Sequence, residues 1–275
     1  MIEDPRGRID YAESGAGPTV VLLPGSCATG AAWRPVMEAW TGRFRCITTS
    51  LPGYGGTAER RTAADPSIDR VAEAVEAVIR RAGDPGPPGV PVHLVGHSFG
   101  GLVGVAVVLR KAVPLASLTV LEAPAMQLLR ERAEDAGHFA AFRDMNAAYF
   151  AAFERGEKEA VASMIDFYGG TGTYASWPAR VRAYAEATTA VNILDWASAY
   201  AFPLSAAMLA DVRIPTLVAW GGASHPAARR ANALLAQAVS GATAAAIDGA
   251  AHFMIATHPG EVARRIAAHV AGAAG

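Results

Sequence analysis

Gly96-His97-Ser98-Phe99-Gly100 sets a serine between two glycines in a G-x-S-x-G pattern. A serine so placed could attack a carbonyl, and the small flanking residues have a steric reason. On a sharp strand-to-helix turn, side chains beside the serine would clash. The context fits, because the apolar stretch Val92-His93-Leu94-Val95 runs into the first glycine and a helical pattern starts after the serine. The hydroxyl would then stand at the carboxyl edge of a sheet with a helix N-terminus beneath it, where backbone N–H groups can stabilise an oxyanion. The competing reading is a glycine-rich turn with a bystander serine. A hydroxyl is a poor nucleophile until a base takes its proton. The chain offers seven histidines for that role: His93, His97, His138, His225, His252, His258 and His269.

The elements that must position these groups alternate. Residues 19–23 form a short apolar run stopped by Pro24-Gly25 and predict a buried strand. A helix is expected over 31–40, a strand over 44–49, and a loop over 51–56, where the glycines are too dense for regular structure. Residues 67–81 predict a helix, capped by Ser67, with Ile68, Val71, Val75, Val78 and Ile79 on one face. A Pro/Gly connector spans 83–91. Strands over 92–96 and 115–121 then flank a helix over 99–111. This βαβα order predicts a parallel sheet wrapped by helices. From 125 to 209 helical patterns replace the alternation. It resumes with a strand over 214–220, a helix over 226–239, a weak strand over 243–247 and a last helix over 259–271. The expected fold is therefore α/β, with a core formed by residues 1–124 and 211–275 and a helical insertion over 125–210.

Composition narrows the function. The 275 residues carry 24 basic and 25 acidic side chains, a net charge of −1, with 52% hydrophobic and 18% charged residues. That is a globular chain. It lacks the basic footprint of a nucleic-acid binder and the polybasic segment that would hold an anionic membrane. The longest apolar run, 101–109, is far short of the roughly 20 residues that cross a bilayer, and the first twenty residues hold no signal-peptide core. Cys27 and Cys46 make no disulfide framework, so a reducing, cytoplasmic location is expected. No H-E-x-x-H, paired cysteines or carboxylate cluster at ligand spacing points to a metal. The glycines at 53–56 lack the Lys-Ser/Thr ending of a phosphate loop. No cofactor is expected, and the partner is a small molecule.

With these motifs in this order, the chain resembles the α/β-hydrolase family over nearly its whole length. The turn at Ser98 looks like the family's nucleophile elbow. Pro24-Gly25-Ser26, followed by Trp33, looks like its oxyanion loop, with Pro24 where a histidine is usual. Residues 51–57 look like its glycine-rich loop after the fourth strand. Gly249-Ala250-Ala251-His252 looks like the loop that carries the catalytic histidine, and the helical insertion matches its cap. The resemblance implies backbone oxyanion donors at Phe99 and at Ser26 or Cys27. Haloalkane dehalogenases and epoxide hydrolases of this fold use an aspartate at the elbow, so Ser98 argues against both.

His252 is the one histidine in a loop after a late strand at the family's spacing, and it is the expected base. The acid departs from the common pattern. The family's usual Trp-Gly-x-x-Asp segment reads Trp220-Gly221-Gly222-Ala223-Ser224 here, and no Asp or Glu occurs between Asp211 and Asp248. Glu122 closes the strand over 115–121, the family's sixth, from which some members take their acid. The order Ser98…Glu122…His252 is preserved. A Glu that supports the cap or pairs with an arginine is the alternative, though a buried strand-end carboxylate with no role would be costly. Asp248 is a weaker rival, and Ser224 could hydrogen-bond in the same region.

Thirteen of the 21 aromatic residues fall within 125–210, with Phe139, Phe142, Tyr149, Phe150 and Phe153 near helical spacing. Most must pack the insertion onto the sheet. Some should face the mouth of the elbow, which predicts a substrate with a sizeable apolar or aromatic part. Cys27, Tyr54, Phe99, Trp220 and Phe253 could add to that wall. The expected activity is carboxylic-ester hydrolysis, or cleavage of a thioester or related carbonyl bond, through an acyl-enzyme on Ser98. A non-hydrolytic lyase, isomerase or cyclase, and a non-catalytic ligand receptor, are the alternatives on the same fold.

Overall fold

The structure, a computed structural model, describes residues 1–83 and 91–273. Three short strands open the chain: β1 (Ile2–Asp4), β2 (Gly7–Ile9) and β3 (Ala12–Ser14). The first two pair as an antiparallel ribbon apart from the main sheet. At three residues each they are too brief to leave an alternating pattern, and the sequence did not reveal them.

The main sheet adds β4 (Thr19–Leu23), β5 (Arg45–Thr48), β6 (Val92–His97), β7 (Leu115–Leu121), β8 (Thr216–Gly221) and β9 (Thr243–Ile247). Its strand order is β3-β5-β4-β6-β7-β8-β9, parallel throughout except for β3 at the edge. Strand β8 begins at Thr216, two residues later than expected. Pro215 has no N–H to give the ladder. Each strand sends alternate residues to opposite faces. Val21 and Leu23, with Leu94, Val120 and Val218, join one core cluster. Val20 and Leu22, with Val95, Leu121, Leu217 and Ala219, join the other.

Helices cover both faces. A short 3₁₀ turn over Gly30–Trp33 leads into α1 (Arg34–Ala39). The single helix expected over 31–40 is thus split, with Pro35 in the first turn of α1, where a missing N–H costs nothing. Next come α2 (Ile68–Ala82), in which Ser67 Oγ accepts from the Asp69 N–H at 3.2 Å, and α3 (Phe99–Arg110). Most of the connector expected over 83–91 lies outside the described residues.

Between β7 and β8 the described residues contain helices and no strand. They are α4 (Ala136–Glu154), α5 (Val161–Gly169), α6 (Thr173–Ser176), α7 (Ala179–Ala187), α8 (Thr189–Ala201) and α9 (Ala206–Leu209). The chain closes with α10 (Pro226–Ala238), α11 (Met254–Thr257) and α12 (Pro259–Ala273). No helix among the described residues is long and apolar enough to cross a membrane.

Sheet register sets the site. His97 pairs with Leu121, Leu121 with Ala219, and Gly221 with Ile247. The first residue past β6 and the first past β7 are therefore neighbours at one edge of the sheet. They are Ser98 and Glu122.

Candidate active site

Ser98 has φ 55° and ψ −126°, a backbone conformation that non-glycine residues rarely adopt. It is held there by hydrogen bonds on both sides. Its N–H donates to the Leu121 carbonyl at 2.8 Å, and its own carbonyl accepts from Gly101 at 2.8 Å. The flanking glycines are sterically required. A Cβ on Gly96 would lie 2.2 Å from the Gly100 carbonyl oxygen, and one on Gly100 would lie 2.3 Å from that of Pro24. Of the five non-glycine residues with positive φ among those described, three are Cys27, Ser98 and Glu122. Each costs of order 1–3 kcal/mol, and such strain clusters where function demands a particular aim.

His252 stands on the loop after β9. Its Nε2 lies 2.9 Å from Ser98 Oγ, and its Nδ1 lies 2.8 Å from Glu122 Oε1. Glu122 Oε2 accepts from the Gly221 N–H at 2.8 Å and from Ser224 Oγ at 2.6 Å. Burial by itself would raise the Glu122 carboxyl, but the hydrogen bond and charge of His252, with Ser224 and Gly221, outweigh it and hold the group below the usual carboxylate range. Ser224, at the usual position of the family acid, thus donates to the Glu122 carboxylate. Asp248 is exposed and is not joined to His252 among the described residues.

His97 has a role that the sequence did not suggest. Its ring Nε2 donates to the His252 carbonyl at 2.8 Å, so the variable residue of the serine motif anchors the histidine loop. Burial, with the neighbouring His252, pushes its pKa down to about 3. A histidine kept neutral in the fold takes its proton on unfolding. Between its folded value and the ordinary 6.5, the unfolded chain binds more protons, so stability is full above 6.5 and falls as the pH drops. The slope is up to about 1.4 kcal/mol per pH unit. His97→Gln keeps the donor without the titration. Urea unfolding of wild type and variant at pH 7 and pH 5 should show the variant losing less stability. Equal losses would mean that His97 is protonated in the fold.

The loop after β4 crosses directly over the serine, where a Cβ on Gly25 would lie 2.9 Å from Ser98 Cβ. Phe99 opens α3, so its N–H is one of the unpaired donors of a helix start. Ser26 and Phe99, expected on either side of an oxyanion, both line the pocket above Ser98. Cys27 lines it too, but burial, with nearby Asp195, pushes its thiol up to about 12, which leaves it protonated and unreactive.

This pocket is a cavity of about 70 Å³ between the sheet loops and the helical insertion. Phe99, Pro124 and Phe253 wall it from below, and Met164, Ile165, Tyr168, Trp177 and Trp196 from above. The Tyr168 ring packs against His252, tilted by 33° with centroids 4.1 Å apart. Tyr54 and Trp220 are not among its walls. Tyr54 is fully buried one layer behind, with its hydroxyl 2.6 Å from Asp195, and Trp220 lies on β8 facing elsewhere. Of the aromatic stripe read from α4, Phe142 and Tyr149 are buried in the core and Phe153 is exposed, so the aromatic wall comes from α5 and α8 and from Trp177 instead.

One cluster at the back of the pocket left no sequence signal. Arg61 is fully buried. Its Nη1 lies 2.8 Å from Asp195 Oδ1, and its Nη2 lies 2.8 Å from Glu59 Oε2. Removing the cation would strand a buried carboxylate, which costs about 3–5 kcal/mol. Arg61→Ala should lose about that much in urea unfolding. A loss below about 1 kcal/mol would mean that water, not Arg61, solvates Asp195.

Comparison with known proteins places these features. Residues 20–265 match the model of the alpha/beta hydrolase family. Over 108 residues the chain is 35% identical to a pimeloyl-[acyl-carrier protein] methyl ester esterase of Methylococcus capsulatus, covering 39% of this chain and 38% of that protein. Over 138 residues it is 28% identical to the protein PHYLLO of Arabidopsis thaliana, covering 46% of this chain and 8% of the relative. The chain thus spans well under half the length of these curated relatives. A thermophilic esterase from Thermogutta terrifontis superposes with a TM-score of 0.75 at 19% identity, over 96% of this chain and 93% of the other, which speaks for the fold alone. The sheet order, the strained serine turn and a family match over nearly the whole length agree: the chain belongs to the alpha/beta hydrolase family.

Proposed function

We propose that the chain is a serine hydrolase that cleaves an ester, thioester or related carbonyl bond of a small, largely apolar molecule, with residues 125–210 acting as a cap over the site. The observation that carries the reading is the line of contacts Ser98 Oγ–His252 Nε2–Glu122 at 2.9 and 2.8 Å, set at the floor of an apolar pocket. The esterase name of a relative agrees with it.

The chemistry follows from the donors and acceptors. Ser98 Oγ attacks the carbonyl carbon as its proton passes to His252 Nε2. The carbonyl oxygen becomes an oxyanion, met by the backbone N–H groups of Ser26 and Phe99. Glu122 keeps the other ring proton on Nδ1 and stabilises the imidazolium. The tetrahedral intermediate collapses, the bond to the leaving oxygen or sulfur breaks, and His252 returns the proton to that atom. Water, deprotonated by His252, then attacks the acyl-enzyme, and Ser98 leaves with the proton restored. Phe99, Met164, Ile165, Trp177, Trp196 and Phe253 hold the apolar part of the substrate.

A fluorophosphonate probe, mapped by mass spectrometry, tests this reading. Labelling on Ser98, together with turnover of p-nitrophenyl acetate and butyrate, is the expected result. No label on a folded protein would remove the acyl-transfer reading and favour a lyase, isomerase or receptor on the same fold.

A further inference from the structure

Asp195 is 2% exposed, stands on α8 of the cap and lines the pocket above Ser98. Its carboxylate is saturated by the core. Oδ2 accepts from Ser26 Oγ at 2.5 Å and from the Tyr54 hydroxyl at 2.6 Å, and Oδ1 accepts from Arg61 at 2.8 Å. Tyr54 and Cys27 are neighbours and influence each other electrostatically. Arg61 stacks over the Phe99 ring, 5.7 Å from its centroid, and bonds Ser198 one turn along α8 at 3.1 Å. The cluster therefore touches the residues on both sides of the expected oxyanion position, Ser26 and Phe99, and it contacts Cys27, whose φ of 56° is unfavourable without support.

Stability alone does not account for this arrangement. Burying the Asp195 carboxylate and the Arg61 guanidinium, with Glu59 half-buried beside them, costs desolvation that apolar side chains of the same volume would avoid. What the charges supply is direction. A carboxylate accepting three donors holds each of them by a charge-assisted hydrogen bond, roughly twice as strong as a neutral one.

We propose that Asp195 is a positioning residue through which the cap holds Ser26 with its backbone N–H aimed at the oxyanion, so that the oxyanion hole is complete only while α8 is docked. The proposal rests on the acyl-transfer reading above. It makes cap closure a condition of catalysis rather than a shield for the substrate alone. Lifting α8 would withdraw the carboxylate from Ser26, and the hole would relax until the cap returns. A loss of alignment near 1 Å at such a site costs about 100-fold in rate.

The test uses Ser26→Ala, Ser26→Thr and Asp195→Asn in the full chain. p-Nitrophenyl butyrate serves as substrate, a trifluoromethyl ketone as oxyanion-forming inhibitor and the matching methyl ketone as ground-state control. Ser26→Ala deletes one hydroxyl and leaves the Asp195–Arg61 pair intact, so it keeps the test open if Asp195→Asn fails to fold. The expected result for Ser26→Ala is a kcat loss of about 10- to 100-fold with KM unchanged, an equal loss of affinity for the trifluoromethyl ketone, and unaltered binding of the methyl ketone. Ser26→Thr, which keeps the hydroxyl, should recover most of kcat. Adding Asp195→Asn to Ser26→Ala should cost little more, because both break the same contact. A Ser26→Ala enzyme with wild-type kcat would overturn the proposal, as would one in which only KM changes, since Ser26 would then be a substrate contact. If Ser98→Ala retains turnover, the acyl-transfer reading fails first. If Ser98→Ala is inactive while Ser26→Ala and Asp195→Asn are not impaired, the positioning role alone fails.

Discussion

Ser98→Ala should abolish ester hydrolysis, with kcat falling about a million-fold. The hydroxyl lines the pocket and lies 2.9 Å from the nitrogen that would take its proton. Alanine keeps the elbow, since the strained backbone is fixed by the bonds to Leu121 and Gly101 rather than by the side chain. Binding should survive with KM little changed. A residual rate of about a thousand-fold over water is expected from oxyanion contacts and orientation alone. Hydrolysis of p-nitrophenyl butyrate by purified variant and wild type measures this directly. A variant within tenfold of wild type would place the nucleophile elsewhere. Unreactive Cys27 could not take over, because its thiol is pushed up to about 12.

Glu122→Gln should lower kcat by about ten-thousand-fold, and the geometry explains why so conservative a change is so damaging. Two donors, the Gly221 N–H and the Ser224 hydroxyl, converge on Oε2. A glutamine must present its one oxygen to them, which turns its NH₂ group toward His252 Nδ1. That nitrogen must then accept, so the ring proton moves to Nε2 and faces Ser98. A base that already carries its proton cannot take another from the serine. Secondary structure by circular dichroism should be unchanged, while fluorophosphonate labelling and p-nitrophenyl butyrate turnover slow together. Ser224→Ala releases one of the two donors and should restore part of the rate when combined with Glu122→Gln. An unimpaired Glu122→Gln enzyme would show that another group orients His252.

The sequence by itself determined the fold class and pointed to Ser98, His252 and Glu122 as candidate groups. Short apolar runs bounded by turn residues are a local property of the chain, and they marked β4, β6, β7 and β8 within a residue or two. The serine turn was legible for the same reason, since the close approach of Gly100 to Pro24 leaves no room for a side chain and so leaves glycine in the sequence. Glu122 stood out only through the resemblance to the family, whose usual acid position after β8 holds no carboxylate before Asp248.

Tertiary structure alone decided which groups meet. The cluster of Glu59, Arg61 and Asp195 joins the loop before α2 to helix α8, 134 residues away, and no spacing rule links them. The same holds for His97 and the His252 carbonyl, 155 residues apart. Aromatic periodicity on α4 indicated burial but not direction, and Phe142 and Tyr149 point into the core while Tyr168 and Trp196 line the pocket. A periodic pattern reports that a face is buried. Whether it is buried against protein or against a ligand depends on how helices pack over the sheet, and that packing is fixed by contacts between residues far apart in the chain.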